Sequence, residues 1–318
     1  MAEQAFRILV CESLGAEGLA LLNNHEGFEV KVALELSKPE LIQQIPNYDC
    51  LLVRSQTLVD RDLINAGVNL KLIGRAGVGV NNIDINCAKE RGIAVINTPS
   101  GNSISTAEFA FGLMLSLARE IPSARQHVQA GLWSRSQFVG RELAYKKLGI
   151  IGFGNVGRLL STRAKAFSMT VSAFDPMIEK STMTNFGAEK HELRELLAQS
   201  DIISLHCGLN SHTQNIINDD NIALMKPGMM LINTARGELI NENALLAALE
   251  QGRISKAAID VYAQEPPAKN SLLINHPKII ATPHLGASTQ EAQKRVATLL
   301  AEQTIGFFRG DSNITRVV

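Results

Sequence analysis

Gly152-Phe153-Gly154-Asn155-Val156-Gly157 is the segment whose residue types and spacing imply chemistry most directly. It follows the apolar run Leu148-Gly149-Ile150-Ile151 and opens into a helical stretch over residues 158–167. That is the strand, turn and helix setting a dinucleotide-phosphate loop requires. Glycines at this spacing allow a tight turn at Gly152, close approach of a pyrophosphate at Gly154, and close packing of helix on strand at Gly157. The N–H groups of the first helical turn, Asn155 and Val156 among them, would hold the anion. A strand over residues 170–174 then ends at Asp175, eighteen residues beyond Gly157. A carboxylate there can accept from both ribose hydroxyls and repels a 2′-phosphate, so the expected cofactor is NAD rather than NADP. The other reading of Asp175-Pro176 is an ordinary strand-ending turn.

The elements that must carry this loop fall into two α/β series. In the first, short apolar runs at residues 8–11, 30–33, 50–53, 72–74 and 93–96 alternate with helix-length amphipathic segments, the pattern of a parallel sheet flanked by helices. Residues 103–119 are too long and too apolar for a strand and read as a largely buried helix. A second series follows, with six strands at residues 148–151, 170–174, 202–205, 229–232, 257–259 and 279–282, a number that suits a dinucleotide-binding sheet. Residues 288–309 carry Ala292, Val296, Leu299, Leu300, Ile305 and Phe308 at helical spacing, and are expected to form a long helix that returns to the first domain. The fold class is thus α/β with two doubly wound parallel-sheet domains. A Rossmann-like nucleotide-binding domain at residues 101–285 is inserted in a flavodoxin-like substrate domain made of residues 1–100 and 286–318.

Ligands of open parallel sheets bind beyond the carboxyl ends of the strands. In the second series those positions hold the glycine loop, Asp175, His206, Thr234-Ala235-Arg236, Asp260 and Pro283-His284. In the first they hold Arg54-Ser55, Arg75-Ala76-Gly77-Val78-Gly79 and Asn97-Thr98-Pro99. His206 and Thr234 are placed at the cofactor edge, His206 by packing or bonding rather than by catalysis. His25, His127, His191, His212 and His276 read as surface or loop residues.

Three blocks, Asn233-Thr234-Ala235-Arg236-Gly237, Asp260-Val261-Tyr262-Ala263-Gln264-Glu265-Pro266-Pro267 and Pro283-His284-Leu285-Gly286-Ala287-Ser288-Thr289, resemble the signature blocks of the D-isomer-specific 2-hydroxyacid dehydrogenases over essentially the whole chain. The resemblance implies that Arg236, Glu265 and His284 form the active site and that Asp260 bonds the nicotinamide carboxamide. The residue types fit. Imidazole can take the hydroxyl proton near neutral pH, a neighbouring carboxylate can orient the ring and stabilise its cation, and arginine can grip a substrate carboxylate through two parallel bonds. Without the resemblance, His284 reads as a loop cap, Glu265 as a turn residue and Arg236 as a surface charge. Gly208 departs from the family's usual proline two residues after the histidine of the His206 block, which bears on the loop over the adenine and not on the chemistry.

Arg54-Ser55, the run from Arg75 to Asp84, and Gly101-Asn102-Ser103 resemble the substrate segments of phosphoglycerate dehydrogenases more than those of the lactate or formate enzymes. Arg54 and Arg75 added to Arg236 can neutralise the two anions of a phosphorylated hydroxy acid, and successive N–H groups near Gly77 and Val78 can receive its carboxylate. Arg54 and Arg75 are otherwise strand-end surface charges. The expected reaction is oxidation of D-3-phosphoglycerate to 3-phosphohydroxypyruvate, the entry to serine biosynthesis. The alternatives are glyoxylate or hydroxypyruvate reduction and, from another class, an NAD(H)-sensing binding protein like the family's corepressors. The helix from residue 103 and the region of Trp133 resemble the family's dimer contact, so a homodimer or homotetramer is expected. The short stretch after residue 309 leaves no place for a C-terminal regulatory domain, so serine feedback is not expected.

Composition narrows the alternatives. Lys+Arg and Asp+Glu each number 31, which gives no net field for nucleic acid or an anionic membrane. With 45% hydrophobic and 19% charged residues, disorder is not expected to dominate. Met1-Ala2-Glu3-Gln4 runs directly into a strand with no secretory leader, and the expected location is the cytoplasm. The four cysteines form no Cys-x-x-Cys pair, and no metal site is expected.

Overall fold

Strand after strand in this chain is apolar on consecutive residues, because each lies in a parallel sheet covered by helices on both faces. The computed structural model describes residues 5–318. The opening four residues, read above for the absence of a leader, lie outside them. The chain divides into two compact units: residues up to Asn102 together with Ser288–Val318, and Ser103–Ala287.

The first unit is built on β1 (Phe6–Val10), β2 (Phe28–Val32), β3 (Cys50–Val53), β4 (Leu72–Arg75) and β5 (Ala94–Asn97), all parallel in the order β2-β1-β3-β4-β5. Register places Ile8 beside both Val30 and Cys50. Side chains therefore alternate between two cores. Leu9, Leu51, Ile73 and Val95 pack with Leu41, Leu63 and Ile64. On the other face Ile8, Val10, Cys50, Leu52, Leu72 and Ile96 pack with Leu22 and with Ala297, Leu300 and Ala301. The latter three come from the helix Gln290–Arg309, so the returning helix is observed. It begins where the Thr289 side chain accepts the Ala292 N–H at 3.1 Å and stops at Gly310, whose φ of 81° is the left-handed conformation of a helix C-cap.

The second unit contains β6 (Lys147–Ile151), β7 (Thr170–Phe174), β8 (Ala188–Lys190), β9 (Ile202–Leu205), β10 (Met229–Asn233), β11 (Ile254–Ile259) and β12 (Ile279–Ala281). Its seven parallel strands run in the order β12-β11-β10-β9-β6-β7-β8. The chain reverses its direction of winding at β6 and β9, and the carboxyl ends of these two strands form the crevice where such sheets take a dinucleotide. The sequence pattern anticipated six strands and missed β8. Three residues at a sheet edge, with Glu189 exposed and Lys190 half-buried, are too few to display a hydrophobic period. The helix Ser103–Arg119 buries Ala107, Ala110, Phe111, Leu113, Met114 and Leu117 against this sheet. Among the described residues no helix is long and apolar enough to cross a membrane.

Candidate active site

The glycine loop shows which of its glycines answer to packing and which leave room for a ligand. Gly152 has φ 92°, and a Cβ there would lie 2.3 Å from the backbone nitrogen of Cys207. The tight turn expected there is thus reinforced by the chain segment after β9. A Cβ on Gly157 would meet the Gly152 carbonyl oxygen at 2.4 Å, so the helix Asn155–Ala166 sits directly on the loop. Gly154 is different: nothing lies within 4 Å of its would-be Cβ. That open space, at the N-cap of a helix, is what a bound pyrophosphate needs. Asp175 holds the loop while facing it. Its Oδ2 accepts the Phe153 N–H at 2.8 Å and its Oδ1 the Met177 N–H at 2.9 Å. A carboxylate accepts about four bonds, leaving roughly two for ribose hydroxyls.

His206 follows β9, and Ser204 Oγ lies 2.8 Å from its Nε2. Burial pushes its pKa down to about 3, so the ring is neutral at physiological pH. An unfolded histidine takes its proton near 6.5. The folded state thus binds fewer protons than the unfolded state between about pH 3 and 6.5, and stability is complete above 6.5 and lost as pH falls. The His206 contribution to the slope approaches about 1.4 kcal/mol per pH unit at its limit. Urea melts at pH 7, 6 and 5 should show this loss in the native protein and less of it in His206→Gln; identical slopes would remove His206 as the source.

Thr234 follows β10, and its Oγ1 is buried with no hydrogen-bond partner among the described residues. An orphaned hydroxyl beside the switch point fits a site that a cofactor completes. The neighbouring turn is held by Asn233, whose Nδ2 donates to the Arg236 carbonyl at 2.7 Å and whose Oδ1 accepts the Ala235 N–H at 3.0 Å. Gly237 permits the turn to press on the next strand's loop, since a Cβ there would lie 2.0 Å from the Tyr262 carbonyl carbon. The backbone after Arg236 is therefore packed against the start of the loop bearing Glu265.

His284 Nδ1 lies 2.7 Å from Glu265 Oε2, and Glu265 Oε1 accepts the Tyr262 N–H at 3.1 Å. The carboxylate is oriented by backbone and in turn orients the ring through Nδ1, leaving Nε2 outside this contact. His284 itself has φ 55°, an unusual conformation for a residue with a side chain. It is imposed by Asp260, which is fully buried. Asp260 Oδ1 accepts the Thr282 hydroxyl at 2.6 Å and the Leu285 N–H at 2.8 Å, and Oδ2 accepts the Gly286 N–H at 2.8 Å. Sequence reasoning assigned Asp260 only to the cofactor and overlooked Thr282. The sole available signal was a hydroxyl residue at the end of a strand facing another strand's terminal carboxylate.

In the first unit, Arg54 and Arg75 stand at the ends of β3 and β4. Arg54 Nη1 donates to the Ser13 carbonyl at 3.4 Å and Arg75 Nε to Asn82 Oδ1 at 3.0 Å. A cavity of about 700 Å³ lies at the carboxyl ends of β1 and β3 and includes Glu12, Ser13, Lys38, Arg54 and Ser55 in its walls. Gly77 departs from the expectation of successive receiving N–H groups. Its amide donates to Thr98 Oγ1 at 2.8 Å and could serve a carboxylate only by leaving that bond. Val78 is exposed, and Asn102 is half-buried at the unit's boundary. His191 and His276, read as surface or loop residues, have side chains only 15% and 8% exposed, each beside a glutamate. Among the described residues no cluster of three or more His, Cys, Asp or Glu forms a metal site.

Residues 111–286 match the family model described as D-isomer specific 2-hydroxyacid dehydrogenase, NAD binding domain. The chain is 43% identical over 304 residues to the D-3-phosphoglycerate dehydrogenase of Archaeoglobus fulgidus and 46% identical over 306 residues to that of Methanocaldococcus jannaschii, in each case across 96% of this chain. It spans 58% of the length of each of these relatives. Among solved structures, a glyoxylate reductase from Paecilomyes thermophila superposes with a TM-score of 0.88 at 32% identity, covering 100% of this chain and 99% of that one.

Proposed function

The chain belongs to the D-isomer specific 2-hydroxyacid dehydrogenase family, and from that premise we propose that it oxidises D-3-phosphoglycerate to 3-phosphohydroxypyruvate with NAD. The observation that carries the reading is the His284 Nδ1 to Glu265 Oε2 contact of 2.7 Å, set on a loop whose backbone Asp260 holds. His284 Nε2 takes the proton of the substrate hydroxyl, and Glu265 stabilises the imidazolium that results. Arg236 holds the substrate carboxylate and the reacting oxygen. NAD, when bound, supplies the acceptor for the hydride leaving the same carbon. Gly152, Gly154, Asn155, Val156 and Gly157 hold its pyrophosphate, Asp175 its ribose, and His206, Thr234 and Asp260 border it. Arg54, Ser55 and Arg75 receive the phosphate of the substrate, with Gly77, Val78 and Asn102 beside its carboxylate.

The 40–46% identity to D-3-phosphoglycerate dehydrogenases supports this substrate over the non-phosphorylated ones. A panel of 3-phosphoglycerate, D-glycerate, lactate and formate with NAD, followed at the absorbance of NADH, tests it. The highest kcat/KM is expected for 3-phosphoglycerate. Preference for glyoxylate or hydroxypyruvate in the reverse direction would favour the reductase reading, and NAD binding without turnover of any acid would favour a dinucleotide sensor. Exposed Trp133, Val139 and Tyr145 support self-association as a homodimer or homotetramer, and a cytoplasmic location accompanies the proposed reaction.

Asp175 is the specificity element for the cofactor. Asp175→Ala should reduce the preference for NAD over NADP by at least roughly tenfold, the scale of a lost charge-assisted bond. Asp175→Asn separates charge from loop support, since it can still accept from one backbone N–H. Unchanged NAD to NADP ratios in both variants would reduce Asp175 to a turn residue.

A further inference from the structure

Asn82 joins the two arginines of the first unit through a single carboxamide. Its Oδ1 accepts Arg75 Nε at 3.0 Å, while its Nδ2 donates to the Arg54 carbonyl at 2.9 Å and the Thr57 carbonyl at 2.7 Å. The same loop is gripped from its other edge by Glu12, whose carboxylate accepts the N–H groups of Arg54 at 2.9 Å, Gln56 at 3.2 Å and Thr57 at 2.9 Å. A segment without regular secondary structure thus has its donors committed to one side chain and its carbonyls to another. The Arg75 guanidinium is folded over Gly77, where a Cβ would lie 2.8 Å from Nη1.

We infer that Asn82 is the positioning residue that sets the preference of this site for a phosphorylated acid, by fixing Arg75 relative to the backbone of Arg54. The inference rests on the proposed role of the two arginines. A phosphate held by two guanidinium groups needs both at a defined separation, and an arginine pinned before binding loses less freedom when it grips the anion. A carboxamide is suited to the position because it presents one acceptor to an arginine and two donors to two carbonyls. A carboxylate would turn its charge against both carbonyls and neutralise Arg75. An unphosphorylated acid gains nothing from the arrangement.

The test compares kcat/KM for 3-phosphoglycerate and D-glycerate in the native protein, N82A, N82D, R75A and the N82A/R75A double variant. N82A should lose roughly tenfold on 3-phosphoglycerate and less than about twofold on D-glycerate. The double variant should be close to R75A alone, because residues acting through one contact are not additive. N82D, nearly isosteric and so tolerant of the local packing, should lose the preference at least as fully as N82A. Equal losses on both substrates, or losses of N82A and R75A that multiply, or N82D with the native preference, would each overturn the inference. If instead R75A leaves the ratio of the two substrates unchanged, the phosphate reading itself fails, and the inference falls with it.

Discussion

Replacing His284 by alanine is expected to lower kcat by roughly a hundredfold or more, the usual scale for a lost general acid-base group, while the dissociation constant for NAD stays near its native value. The expectation follows from where His284 stands. It is not part of the glycine loop or the Asp175 turn, so the proposed dinucleotide contacts survive its removal. Its Nδ1 is committed to Glu265 at 2.7 Å, and the ring has no structural bond whose loss would unravel a strand. The Asp260 carboxylate holds the loop through backbone N–H groups and Thr282, and these persist in the variant. Steady-state turnover paired with NAD fluorescence titration separates the two effects. Near-native turnover would take His284 out of the mechanism, and lost NAD binding would show that the loop had collapsed.

The second large effect concerns substrate choice. Arg54→Ala or Arg75→Ala should each reduce kcat/KM for 3-phosphoglycerate by roughly 10- to 150-fold, since a charge-assisted bond contributes about 1.5–3 kcal/mol. Weak activity on an unphosphorylated acid should change far less. Arg236→Ala is the internal control, because a shared carboxylate contact depresses both substrates together. The structure sharpens the contrast between the two arginines. Arg75 is pinned at Nε by Asn82, whereas Arg54 makes only a long 3.4 Å bond to the Ser13 carbonyl. The Arg75 variant should therefore show the larger loss. Equal losses on phosphorylated and plain substrates in both variants would leave a glyoxylate or hydroxypyruvate reductase as the better reading.

Much of this architecture is readable along the chain because its determinants are local. Consecutive apolar residues such as Cys50-Leu51-Leu52-Val53 announce a strand buried on both faces. Polar residues placed immediately after such strands are brought to one sheet edge by parallel topology alone. Arg236, Asp260 and Arg75 are legible for that reason, and the glycine loop because it lies between a strand and a helix. His191 and His276 lie in loops as read, and only the partial burial of their side chains was not legible, since a histidine in a loop carries no sign of which neighbour it will fold onto.

What the sequence by itself determined is the order of elements apart from β8, the glycine loop between strand and helix, and the set of side chains at the strand ends. Only the tertiary structure decided how those side chains are engaged. It joined His284 to Glu265, closed the Asp260 carboxylate around the histidine loop, committed the Gly77 amide to Thr98, and tied Arg75 to the Arg54 loop through Asn82. The physical reason is that hydrophobic period and turn chemistry are properties of neighbouring residues. A hydrogen bond between residues such as Asp260 and Gly286 exists only once packing has chosen which loop ends lie within 3 Å of one another.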